Sequence, residues 1–313
     1  MTTAPDPRSF FPPARFGEVR EVVTITEGLS GAAVYSVRTE TGHFVLRIQD
    51  PSKRASWSRM ILMQRLAAEH GIAPELLLVD DERLATVSVK ISGAHLGLAA
   101  SQPSSQRAVF ASLCEMLAKL HALPIPDKCA GEDSVAEARA IWSAQRDRPG
   151  FPGWVAEFDD RFRHACSVVD NDPKRVLGHN DLNPVNGIWD GNRVWLVDWE
   201  RAGPAHPYVD VASLATFLML PDDVALSLLS MQEGTTIVEG EREVFRVVRD
   251  YARLVYGAVF LRLVPDLTQV DIGTRERALP LGDCYLRIMS GALDPRSPAG
   301  QAMLGTALFR QCE

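Results

Sequence analysis

The chain has 313 residues, 46% of them hydrophobic, and a net charge of −7. That length and apolar content can bury a sizeable core in one bilobal unit or two domains. The acidic balance argues against nucleic acid as a partner, because its binders need a basic footprint, and the lack of an 18-residue apolar run argues against a membrane helix.

The N-terminal MTTAPDPRSFFPP has no basic stretch followed by an apolar one, so neither secretion nor membrane insertion is expected. Cys114, Cys129, Cys166, Cys284 and Cys312 are odd in number, scattered and free of any C-x-x-C pair, which suits a reducing cytoplasm. The histidines form no H-E-x-x-H spacing and no G-x-S-x-G elbow occurs, so zinc hydrolases and α/β-hydrolases lose their support. The whole acidic excess falls in residues 92–313, which suits a cationic substrate there as well as an ordinary solvated surface.

In chain order, short apolar runs at 21–26, 33–38 and 44–48 read as strands separated by turns, with Gly28-Leu29-Ser30-Gly31 in the first turn. A helix is predicted over about 56–70, ended by Gly71 as its cap and by Pro74. One strand follows Pro74 and another spans 84–91. Ser92-Gly93 then resembles a hinge, and the lobe boundary is placed there, giving parts 1–91 and 92–313. Beyond it, Val109, Leu113, Met116, Leu117 and Leu120 recur at helix spacing, Pro149 to Gly153 break two helical stretches, and a long amphipathic helix is predicted over 241–263.

Residues 179–200, HNDLNPVNGIWDGNRVWLVDWE, are the most informative. Phosphoryl transfer through a loose transition state needs little covalent chemistry from the protein; it needs a carboxylate to orient the attacking hydroxyl and oxygen ligands to hold magnesium against phosphates. His179-Asn180-Asp181 followed by Asn186 fits H-x-D-x-x-x-x-N, and Asp198 stands where the metal-binding Asp of that pattern falls. Apolar residues at 188–189 and 194–197 flank Asp190-Gly191-Asn192-Arg193, a hairpin signal. Asn186 and Asp198 are equidistant from Asn192, so a three- or five-residue loop centred there would place both at the hairpin's open end, whereas a two-residue Asp-Gly turn would shift that register.

With these residues the segment resembles the catalytic core of the aminoglycoside phosphotransferase and choline kinase superfamily. DLNPVN, LVDWE and PYVDVASLATF are most similar to bacterial choline kinase-like proteins. The resemblance implies an α+β, bilobal protein-kinase-like fold with a small β-rich N-lobe that binds nucleotide and a larger, mostly helical C-lobe. It makes Asp181 the catalytic aspartate and Asn186 and Asp198 magnesium ligands, with His179 and Asp210 bracing the loop, the latter by accepting backbone N–H groups. Asp210 reads equally as an N-cap for a helix over 211–220. By the same resemblance Gly28, Ser30 and Gly31 belong to a nucleotide-covering loop, and Arg47 stands where kinases carry their phosphate-pairing cation.

The next helix should offer that cation a glutamate, yet residues 51–68 contain no acid. Gln64, Glu69 or a residue elsewhere must substitute. Glu200 is a candidate for a second metal, a cationic substrate or a surface salt bridge. The expected cofactors are ATP and Mg2+, and the partner a small hydroxylated acceptor, with no nucleic acid and no membrane. A choline- or ethanolamine-like metabolite ranks first, and Trp142, Trp154, Tyr251 and Tyr256 are candidates for the aromatic faces it would want. An aminoglycoside ranks second, for which Glu157, Asp159 and Asp160 could serve. A nucleotide-binding pseudokinase without turnover is the alternative of another class.

Overall fold

The computed structural model describes residues 5–25, 31–129 and 134–312. It divides into two compact units, Met1–Leu120 with Pro184–Ala202, and His121–Asn183 with Gly203–Glu313.

In the first unit, strands β1 (Val19–Ile25), β2 (Ala33–Thr39), β3 (His43–Ile48), β4 (Leu76–Asp80) and β5 (Ala85–Val89) form one antiparallel sheet in the order β1-β2-β3-β5-β4. Period-2 alternation turns Val37, Phe44, Leu46 and Val87 to one face, where they meet Phe10, Phe11 and Phe16. Those three aromatics come from a 3-10 turn at Pro7–Phe10, the residue after it, and the one-turn helix α1 (Pro13–Phe16), a segment for which the sequence predicted no element. Phe16 sits edge-on to both Phe11 and Phe44, at 5.2 Å between ring centroids.

Helix α2 (Arg54–Glu69) ends as its sequence predicts. Gly71, at φ +69, donates to Ala68 O and Ile72 to Ala67 O, a Schellman closure that the left-handed glycine makes possible. Strand β6 (Ala94–His95) and helices α3 (Leu96–Ser101) and α4 (Gln106–His121) follow. The chain returns to this unit with β8 (Gly187–Trp189) and β9 (Val194–Leu196), which join β6 in a three-stranded sheet ordered β6-β8-β9. Two bonds anchor the hairpin: Leu196 N–H to Ile72 O, and Val194 N–H to Ser112 Oγ on α4, each 2.9 Å.

The second unit is mostly helical. Strand β7 (Val176–Gly178) pairs antiparallel with β10 (Gly203–Ala205). Helices α5 (Ser134–Arg146), α6 (Asp159–Asn171), α7 (Val209–Phe217), α8 (Asp222–Glu233), α9 (Glu239–Leu263), α10 (Leu281–Met289) and α11 (Pro298–Arg310) make up the rest. The 25-residue α9 is the spine against which α5, α6, α7 and α11 pack. Gly257 lets α11 approach, since a Cβ there would lie 2.5 Å from the Phe309 ring. None of the described helices is long and apolar enough to cross a membrane. All five cysteines are buried.

Candidate active site

In the first unit, Arg47 is the hub. Phe44 and Leu46 face the aromatic core, and the period of a strand sends Arg47 to the other side of the sheet. Its guanidinium spans two carboxylates: Nη1 lies 3.1 Å from Asp198 Oδ1, and Nη2 lies 2.5 Å from Glu200 Oε1. The three side chains are only 16%, 20% and 14% exposed, so the pairs are poorly screened. Burial works against the Arg47 charge, but Asp198 and Glu200 overcome it and hold its pKa above the ordinary value.

Glu200 gathers further donors. Gln49 Nε2 donates to the same Oε1, Lys53 Nζ lies 3.6 Å from Oε2, and Arg59 Nη2 on α2 donates to the Glu200 carbonyl at 2.9 Å. The glutamate that the sequence lacks on α2 is therefore supplied by the turn after β9. Helix α2 contributes a cation, Arg59, where an anion was expected.

The hairpin departs from the register centred on Asn192. Trp189 pairs with Val194 and Gly187 with Leu196, and Asp190 N–H donates to Arg193 O. The loop is thus the two residues Gly191-Asn192, with Gly191 at φ +100, and is not centred on Asn192. The Asp190 carboxylate explains this choice: its Oδ1 accepts the Asn192 and Arg193 N–H groups, both at 2.8 Å, and closes the turn. Asn186 consequently faces Val197, whose N–H donates to Asn186 O at 2.9 Å, and Asp198 stands one residue beyond. There the chain turns left-handed, at φ 66 and ψ 72, to start the 3-10 turn Trp199–Arg201. A short polar side chain tolerates that conformation at a cost of about 1 kcal/mol. It swings the chain so that Trp199 is buried, its Nε1 donating to Leu196 O.

In the second unit, β7 runs into the loop that carries Asp181. The Asp210 carboxylate accepts the His179 N–H on Oδ2 and the Asn180 N–H on Oδ1, both at 2.9 Å. Asp210 lies inside the first turn of α7, after an N-cap at Tyr208, so it braces the loop and does not cap the helix. Gly178 is required beside it, because a Cβ there would meet Ala205 Cβ at 2.5 Å. Asn180 takes φ 60, the turn that points the following residues out of β7.

Behind Asp210 stands a pair that the sequence did not single out. His121 Nε2 lies 3.1 Å from Asp210 Oδ2, and Gln232 Nε2 lies 2.7 Å from His121 Nδ1. With the imidazole proton on Nε2, His121 donates to the carboxylate and accepts from the amide. Burial alone would raise the Asp210 carboxyl, but the hydrogen bonds it accepts from His121 and from the His179 N–H hold it below the usual carboxylate range. His179 is fully buried, and Asp210 is 1% exposed.

Asp181 itself receives the Tyr256 hydroxyl, which donates to Oδ1 at 2.9 Å from α9. The Tyr256 ring packs edge-on against Phe217 of α7, 4.7 Å between centroids. The other candidates for acceptor binding are otherwise engaged. Trp142 is buried and stacked on Phe162, Trp154 sits edge-on to Phe158 and Phe309, and Tyr251 is buried. Asp159 pairs with Arg146, Glu157 with Arg275, and Asp160 with Arg163. Gly31 has φ +72 and open space where a side chain would start, whereas Gly28 and Ser30 lie outside the described residues.

Comparison with known proteins agrees with these features. The choline/ethanolamine kinase family protein of Mesorhizobium loti is similar in structure, with a TM-score of 0.62 and 20% identity, and the match covers 93% of each chain. LicA, the choline kinase of Streptococcus pneumoniae, solved in complex with AMP, matches at a TM-score of 0.57 and 18% identity over 77% of this chain and 83% of that one. An aminoglycoside-3'-phosphotransferase of type VIII matches at 0.56 and 22% over 78% and 96%. No curated protein sequence matches significantly. The fold is thus protein-kinase-like, with a β-sheet N-terminal part and a helical C-terminal part. The profile of the phosphotransferase enzyme family matches residues 21–244, and with that span this chain belongs to the phosphotransferase enzyme family, as a small-molecule phosphotransferase.

Proposed function

We propose that the protein is an ATP-dependent O-phosphotransferase that moves the γ-phosphate onto a hydroxyl of a small, amine-bearing metabolite, choline- or ethanolamine-like in the first instance. In this reading residues 1–91 bind the nucleotide and 92–313 carry catalysis and the acceptor, in the cytoplasm. Arg47 grips phosphate through two donors, and Gly28, Ser30 and Gly31 line the covering loop. Asp181 orients the acceptor hydroxyl and takes its proton late. The donor set at the hairpin's open end, a buried Asn186 and the carboxylate of Asp198, is hard oxygen and fits magnesium with phosphate and water completing its shell. Magnesium there would neutralise charge on the β- and γ-phosphates.

One observation carries the choice of acceptor. The Asp181 carboxylate accepts from Tyr256, whose ring packs on Phe217, and more distantly from the Asn183 amide, while the carboxylates that a polycationic aminoglycoside could recruit are each paired with an arginine. An aromatic surrounding suits one alkylated ammonium better than several primary amines. A reading without turnover would rest on the lack of an acid on α2 to pair with Arg47, and Glu200 is an acid that pairs with it.

The test is ADP release from purified protein with magnesium-ATP across choline, ethanolamine, thiamine, aminoglycosides and simple sugars. Stimulation by choline or ethanolamine is the expected result. Stimulation by aminoglycosides alone would overturn the acceptor class. Thermal stabilisation by ATP with no acceptor-dependent ADP would favour a nucleotide-binding protein without turnover.

A further inference from the structure

We infer that Tyr256 is a positioning residue for the reacting carboxylate, and that α7 and α9 together form the frame from which Asp181 is aimed. This inference rests on the assignment of Asp181 as the catalytic aspartate.

The backbone of the Asp181 loop is fixed by Asp210, through the His179 and Asn180 N–H groups. That leaves rotation of the carboxylate about its own side-chain bonds, a broad torsion for Asp. The Tyr256 hydroxyl restricts this freedom by donating to Oδ1 at 2.9 Å, a charge-assisted bond with a defined direction, beside a longer contact of 3.4 Å from Asn183 Nδ2 to the same oxygen. Tyr256 is itself held, its ring locked edge-on by Phe217 at 4.7 Å.

Both anchors trace back to one pair of helices. Asp210 sits at the start of α7 and Phe217 at its end, and all of α7 is buried. Arg249, about two turns before Tyr256 on α9, ties the pair together: its Nη2 donates to Ala215 O at 2.9 Å and to Leu220 O at 2.7 Å. Loop backbone and carboxylate are therefore referenced to the same packed element. Catalytic groups need placement within about 0.5 Å, and a misplacement of about 1 Å can cost roughly a hundredfold in rate.

The experiment compares Tyr256→Phe with wild type and Asp181→Asn. Tyr256→Phe keeps the ring against Phe217 and deletes only the hydroxyl. With the best acceptor of the panel above, kcat is expected to fall roughly tenfold to a hundredfold, with the KM for ATP and the thermal midpoint unchanged. In parallel, the tyrosine C–O stretch in ultraviolet resonance Raman difference spectra, wild type minus Tyr256→Phe, is expected to report a phenol donating to an anion, and to shift in Asp181→Asn. This second readout needs no acceptor. If Asp181→Asn abolishes turnover while Tyr256→Phe keeps wild-type kcat, the positioning role is wrong and the catalytic assignment stands. If Asp181→Asn keeps its turnover, the catalytic assignment itself fails. A C–O stretch that does not respond to Asp181→Asn would overturn the hydrogen bond, whatever the kinetics show.

Discussion

Asp210→Asn isolates the brace beneath the Asp181 loop. The carboxylate accepts from His179 N–H and His121 on Oδ2 and from Asn180 N–H on Oδ1. An amide has one accepting oxygen. Placed at the Oδ2 position it still serves His179 and His121, but its NH2 then confronts the Asn180 N–H, donor against donor. Leaving that buried N–H unpaired costs about 1–3 kcal/mol. The two surviving bonds lose their charge assistance, at about 1 kcal/mol each. The sum is about 3–5 kcal/mol, which for a domain of this size lowers the thermal midpoint by roughly 10 °C. The local signature is sharper: the Asn180 amide should exchange its hydrogen much faster, and kcat should fall. The pH dependence follows from the sign of the shift. The folded carboxyl is held below its ordinary value, so its stabilisation is fully present above the unfolded pKa of about 3.9 and is lost only as the pH falls below that. The wild-type advantage over Asp210→Asn should therefore be flat from neutrality down to about pH 4 and shrink beneath it. A variant within about 0.5 kcal/mol of wild type, with the Asn180 amide still protected, would refute the reasoning.

Glu200→Ala should leave Arg47 tied only to Asp198 and raise the KM for ATP about tenfold, or 1.4 kcal/mol, measured by ADP release at saturating acceptor; an unchanged KM counts against Glu200 as the partner that positions Arg47. Arg249→Met strips Ala215 O and Leu220 O of their donor and parts the ion pair with Asp222, so urea unfolding should show a loss of about 3 kcal/mol. Burial pushes the His206 imidazole down to about 4 despite Asp172 at 3.1 Å, and its Nδ1 already accepts the Tyr208 N–H. The unfolded chain takes up that proton near 6.5 and the folded one only near 4, so stability is intact above pH 6.5 and falls by about 2–3 kcal/mol as the pH drops towards 4. In His206→Asn that decline should flatten, and equal slopes for both proteins would exclude His206 as its source.

The strands, α2 with its Gly71 cap, and the hairpin at 187–196 were all legible in the sequence, because each is dictated by local chemistry: alternation, a left-handed glycine, a turn between apolar runs. What escaped were contacts set by tertiary packing. His121 lies in LHALP, which the sequence marks only as a helix end, and only the fold brings it to Asp210 from 89 positions away. Glu200 was visible as an acid two residues from Asp198, but its pairing with Arg47 spans 153 positions, and the vacancy on α2 pointed to the wrong element. The sequence left the loop at two, three or five residues, because the symmetry of Asn186 and Asp198 about Asn192 carries no information on the Asp190 side chain that closes the turn. Phe10, Phe11 and Phe16 lie among prolines without strand or helix periodicity, so nothing marked them as the lid of the sheet.

The partner of Arg47 lies on the turn that also bears Asp198, two residues away along the chain. Displacing α2 would break the bond from Arg59 to the Glu200 carbonyl and leave both of Arg47's ion pairs standing. Swinging a helix outward to part the cation from its acid, an off-state open to enzymes that keep that acid on a helix, would not disarm this one.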